Sequence, residues 1–119
     1  MDKQELKNRT MQFALRVLKL SSALPNTIEG RAVRGQLFRA GSAVGSNYRA
    51  SCKARSVAEF VAKVGTVEEE ADESAFWMEF IMLAGMMKKR RVESLHQEAE
   101  ELTAIMASSR KTASAGCAR

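Results

Sequence analysis

Apolar residues recur at three- and four-residue intervals along four stretches of this chain, the pattern of helices that each bury one stripe. Leu6, Phe13, Val17, Leu20 and Leu24 set the first stripe, with Thr10 in the remaining gap, and predict a helix over residues 3–24. Pro25 lacks the N–H that the ladder needs and biases Leu24 away from helical angles, so the helix stops there. Asn26 or Thr27 offers a side-chain oxygen to cap the next helix, and so short a link makes the two antiparallel neighbours.

The second helix is predicted over residues 27–54, on the stripe Val33, Leu37, Ala40, Val44, Asn47 and Ser51. Gly30, Gly35, Gly41 and Gly45 oppose it, each costing about 1 kcal/mol against alanine in a helix interior. A break at Gly41 into two shorter helices is the competing reading. One continuous helix is favoured because both halves share a phase, and Ala40, Gly41 and Gly45 then mark close approach by another helix. Ser56 caps a third helix over residues 57–84, with Glu59 completing a capping box. Its stripe is Phe60, Val64, Val67, Ala71, Ser74, Met78 and Ile81, and Gly85 ends it. Val92, Leu95, Ala99, Leu102 and Met106 predict a fourth helix over residues 89–110. The expected architecture is all-α, an up-down-up-down antiparallel four-helix bundle over residues 1–110. Residues 111–119 are expected to form a flexible basic tail.

Composition agrees: 119 residues suit one domain, and one proline with seven glycines favours helix over sheet. The polar start, Met1-Asp2-Lys3-Gln4-Glu5, is unlike a signal peptide, and no apolar run approaches a membrane span, so a cytoplasmic location is expected. Two cysteines, Cys52 and Cys117, do not make a disulfide framework.

Charge changes the picture more. Residues 26–55 carry six basic groups and one acidic, whereas residues 56–87 carry one basic and seven acidic. The acidic run Glu68-Glu69-Glu70-Ala71-Asp72-Glu73 sprays around a helix and reads as ion-pairing, within or between subunits, with Arg34, Arg39, Arg49 and Lys53 of the second helix. Arg39, Arg49, Lys53, Arg55 and Lys63, with the cluster Lys88-Lys89-Arg90-Arg91, form the candidate nucleic-acid-binding set, because phosphate backbones reward such patches without a sequence code. The competing reading is an ordinary solvated face.

Enzymatic chemistry finds little support. His96 is the only histidine, and no serine elbow accompanies it. Glu93 and His96 have the spacing of a di-iron carboxylate pair, but a second such pair and two further inward glutamates are missing. Gly41-Ser42-Ala43-Val44-Gly45 lacks the Gly-Lys-Ser/Thr ending of a phosphate loop. Neither a catalytic residue, a metal, a cofactor nor a small-molecule substrate is expected.

Two stretches resemble a known family. Gln36 through Ala50 contains Arg-x-Gly-Ser-x-x-Gly-x-Asn-Tyr-Arg, and Glu70 through Trp77 contains Glu-x-Asp-Glu-x-x-x-Trp. In that order they resemble the small bacterial four-helix bundle proteins encoded in intervening sequences of large-subunit ribosomal RNA genes, over roughly Phe13 to Met106. The resemblance implies an up-down bundle and a ring of five subunits. It also implies kinship with accessory proteins of diversity-generating retroelements, whose basic surface is thought to engage nucleic acid. Carried over by position, Arg39, Asn47, Tyr48, Arg49, Glu70, Asp72, Glu73 and Trp77 match the shared pattern, either as binding residues or as structural and interface residues. Val57, Val61, Phe76 and Phe80 lie off the narrow stripe, so association of bundles is expected from the residues as well. Two functions follow: a homo-oligomeric binder of RNA or DNA that acts through backbone charge and not base readout, or a structural scaffold for protein partners.

Overall fold

The structure, a computed structural model, describes the backbone of residues 1–117 and the side chains through Gly116. Four helices follow one another: α1 (Lys3–Ser22), α2 (Ile28–Ser51), α3 (Val57–Leu83) and α4 (Lys89–Cys117). Each packs on its sequence neighbours, α1 on α2, α2 on α3 and α3 on α4, while α1 and α4 close the ring with the least contact. The result is an up-down-up-down bundle of 51 × 21 × 19 Å.

Local chemistry sets the helix ends. Asp2, Thr27 and Ser56 each have extended backbone and accept the N–H three residues on, from Glu5, Gly30 and Glu59. Glu59 reaches back one residue beyond the expected capping box, accepting the Arg55 N–H at 3.1 Å. α2 ends at Ser51 rather than at residue 54, because Lys53 and Ala54 bond only three residues back and the helix unwinds through a tight turn. At the end of α3, Gly85 has φ +68, the left-handed geometry that the sequence assigned to it. Its N–H bonds Met82, and the Met86 N–H bonds Ile81, which makes a Schellman stop with Met86 packed on the core.

The core follows the four stripes, with Phe13, Leu37, Met78, Ile81, Leu102 and Met106 fully buried. One position in α2 differs from expectation. Tyr48 takes the buried place, whereas Asn47 is half-buried and donates to the Ala43 carbonyl of its own helix at 2.9 Å. The break at Gly41 does not occur: α2 is continuous because α1 packs against its glycines. A Cβ on Gly41 would lie 2.5 Å from a Val17 methyl, and one on Gly45 would lie 3.3 Å from the Thr10 carbonyl oxygen.

α4 corrects the expected stop at Arg110. It continues to Cys117 because Lys111-Thr112-Ala113-Ser114-Ala115 holds no helix breaker, and because Arg110 is anchored on α3 through Glu68 at 2.9 Å. The expected flexible tail over 111–119 is therefore helix as far as residue 117. Residues 118–119, also assigned to that tail, and the Cys117 side chain lie outside the described residues. No helix among the described residues is long and apolar enough to cross a membrane.

Candidate nucleic-acid interface

The basic residues divide into those held by carboxylates and those that are not. Arg39 on α2 spans two turns of α3, with Nη1 donating to Glu70 at 3.1 Å and Nη2 donating to Glu73. The Trp77 indole N–H donates to the same Glu73 carboxylate at 3.3 Å, so the three residues and Glu70 form one clamp between α2 and α3. The hydrogen bond to Glu73, more than any other influence, holds the Arg39 guanidinium above its ordinary pKa. Asp72, in the same sequence pattern, is exposed and stands outside this clamp. Tyr48 lies in the core, and burial pushes its phenol well above the usual value, with the Cys52 thiol beside it adding to the effect.

Two further cross-helix pairs were invisible in the sequence. Arg9 forks onto Glu98 through Nε at 2.8 Å and Nη2 at 2.6 Å, and reaches Glu101 at 3.5 Å. The Arg9 hydrogen bond holds the Glu98 carboxyl below the usual carboxylate range. Arg110 takes Glu68. Arg34, expected to pair with the acidic run, instead donates to the carbonyls of Ser21 and Leu24 and satisfies the C-terminal end of α1. Of the four basic partners expected for that run, only Arg39 fills the role; Arg49 and Lys53 have no carboxylate partner among the described residues.

The remaining candidates form two groups. Arg49, Lys53 and Arg55 are exposed, and Lys63 half-buried, where α2 ends and α3 begins. Lys88, Lys89, Arg90 and Arg91 are exposed where α3 ends and α4 begins. None of these eight has a carboxylate partner among the described residues. Because α3 runs between the two groups, its 27 residues set them roughly 40 Å apart at opposite ends of the bundle. The second group also occupies a helix N-terminus, where positive charge opposes the macrodipole. α1, α2 and α3 each carry a glutamate in their first turn, and α4 carries none. Helix stability therefore does not account for that run of cations.

Apolar surface lies on two other faces. On α3, Phe76 is 54% exposed, Phe80 43% and Leu83 81%. Phe76 and Phe80 stack edge-on against Trp77, with centroids 5.0 and 5.6 Å away. On α1, Met11, Leu15 and Leu18 form a second outward stripe, each close to half exposed. The α3 stripe is bordered by exposed Glu69, Asp72 and Glu79, the α1 stripe by Lys7 and Lys19. Elsewhere, His96 Nδ1 lies 3.4 Å from Glu100, and no three His, Cys, Asp or Glu side chains among the described residues converge as metal ligands.

The sequence profile of the 23S rRNA-intervening sequence protein family matches residues 2–108, which includes the clamp, the core stripes and both basic groups. The chain belongs to that family. A solved structure is similar to it throughout: a protein with unknown function from the S23 ribosomal protein family of Bacteroides thetaiotaomicron VPI-5482. The two are 26% identical, with a TM-score of 0.85 over 93% of this chain and 99% of the other. No curated protein matches this chain. In this member of the intervening-sequence family, Arg39 joins α2 to Glu70 and Glu73 of α3, and Trp77 donates to Glu73. The family description names no reaction.

Proposed function

We propose that this chain is a non-enzymatic, homo-oligomeric bundle of the cytoplasm that binds RNA or DNA through backbone phosphates, in a ring of five subunits. The observation that carries the binding reading is the division of charge. Arg9, Arg39 and Arg110 are neutralised by carboxylates, while the two end groups are not. Uncompensated cations gain affinity by releasing the counterions of a phosphate backbone. With Tyr48 buried and Trp77 engaged with Glu73, the reading rests on charge and not on base stacking.

Assembly is supported by the two apolar stripes. An acidic border on α3 and a basic border on α1 favour a contact of one subunit's α3 with the next subunit's α1. Such a head-to-tail contact uses unlike surfaces, the kind of interface that forms a ring where the rotation between subunits closes. The number five comes from the family resemblance.

A salt series tests the binding reading. Affinity for a labelled oligonucleotide is expected to fall steeply with ionic strength, and the log–log slope to become shallower by about 0.7 to 0.9 for each phosphate-contacting cation removed. Binding no tighter than that of a charge-matched control protein at low salt would leave the scaffold reading, in which the apolar stripes take a protein partner.

A further inference from the structure

The thin contact between α1 and α4 leaves an open groove of about 390 Å³ at the end of the bundle where α4 begins. Its walls are Arg16 and Lys19 from α1 and Arg91 and Ser94 from α4, over Leu20 and Leu95. We propose that this groove is the phosphate-binding site of the bundle, taking a backbone phosphate of RNA or DNA between Arg16, Lys19 and Arg91. It rests on the nucleic-acid reading above and adds two residues, Arg16 and Lys19, outside the basic set read from the sequence.

Three features favour the groove over a diffuse charged surface. The cations arrive from two helices far apart in sequence and line one concavity, whose walls focus the field on a bound anion. Arg16 is already oriented: its Nη2 donates to the Ser94 hydroxyl at 3.2 Å, which fixes the guanidinium across the seam. A fork held in one geometry loses less freedom on binding than a solvated side chain. The floor is apolar, Leu20 and Leu95 being buried, so the sugar of a nucleotide meets a surface suited to it.

The acidic groups nearby do not close the site. Glu98, further along the same seam, is forked by Arg9 and feels the Arg16 charge only at longer range, without an ion pair to it among the described residues. Glu93 lies two residues from Arg91, about 200° around α4, and points to the other flank. Lys88, Lys89 and Arg90 stand at the same end and extend the positive field. Lys19 is shared between the groove and the border of the Met11–Leu15–Leu18 stripe, whereas Arg16 and Arg91 lie off that stripe.

The test compares two variants with equal charge loss. One carries Arg16→Gln, Lys19→Gln and Arg91→Gln; the other carries Arg49→Gln, Lys53→Gln and Arg55→Gln at the opposite end. Anisotropy of a labelled single-stranded oligonucleotide, as RNA and as DNA, is followed across salt concentrations. The groove variant is expected to lose at least about tenfold more affinity than the control variant, with a salt slope shallower by about 2. Equal losses would overturn the groove while leaving backbone binding intact. Wild-type binding no better than a charge-matched control would overturn both. Photocrosslinking of the wild-type protein to RNA gives a readout independent of the variants. Adducts on peptides spanning residues 16–20 and 91–95 are expected, and adducts confined to residues 49–55 would overturn the proposal.

Discussion

Replacing Phe76 and Phe80 by aspartate is expected to leave the bundle folded and to convert the proposed assembly into monomers. Both rings project from α3 away from the core, and their burial in the single chain is incomplete. Fully burying a phenylalanine side chain is worth about 1.5–3 kcal/mol, and only about half of each ring remains to be buried, so the two together contribute about 1.5–3 kcal/mol per interface. The two new carboxylates must also be desolvated beside Glu69, Asp72 and Glu79, which raises the cost of contact further. Mutating the paired stripe, with Leu15 and Leu18 changed to serine, is expected to act in the same direction. Size-exclusion chromatography with light scattering reads the mass, and circular dichroism reads the fold. An unchanged mass in the Phe76 and Phe80 variant would show that α3 is not the contact surface.

A large effect on folding is expected at Gly41. A side chain there meets Val17, which is fully buried and branched at Cβ, so neither partner can turn aside cheaply. Gly41→Leu is expected to cost about 3 kcal/mol, the upper end of what overpacking a core costs. Gly35 in the same helix is the internal control. Nothing lies within 4 Å of a Cβ built there, so Gly35→Ala is expected to stabilise the bundle by about 1 kcal/mol. Combining Gly41→Ala with Val17→Ala should cost less than the sum of the single changes, because the second makes room for the first. Urea denaturation measures all of these, and a tolerated Gly41→Leu would contradict the close approach of α1 and α2.

The contrast between Gly35 and Gly41 also marks how far the sequence could be read. Stripes such as Val33, Leu37, Ala40 and Val44 declare a buried face because helical geometry repeats every 3.6 residues, and the caps at Thr27 and Ser56 are local chemistry. Which glycine faces a neighbouring helix depends on how that helix is rotated, and no local pattern encodes it. The same limit governed the ion pairs. Arg39 was matched to the acidic run because both lie in one hairpin. The Arg9 pairing with Glu98 spans 89 residues and leaves no local trace. Arg34 gives no local sign of its partners, because they are backbone carbonyls, which every residue has. The end of α4 is not legible locally, because the segment after Arg110 continues a helix anchored on α3 through Glu68. The basic set was legible as charge, but its division between two ends, and the α1–α4 groove, needed the fold.

Native mass spectrometry of the protein purified without nuclease tests the central claim most directly, since it reports subunit number and retained nucleic acid together. The account predicts a species near five chain masses that carries additional mass removed by nuclease treatment. A clean monomer at micromolar concentration with no nucleic acid attached would contradict it.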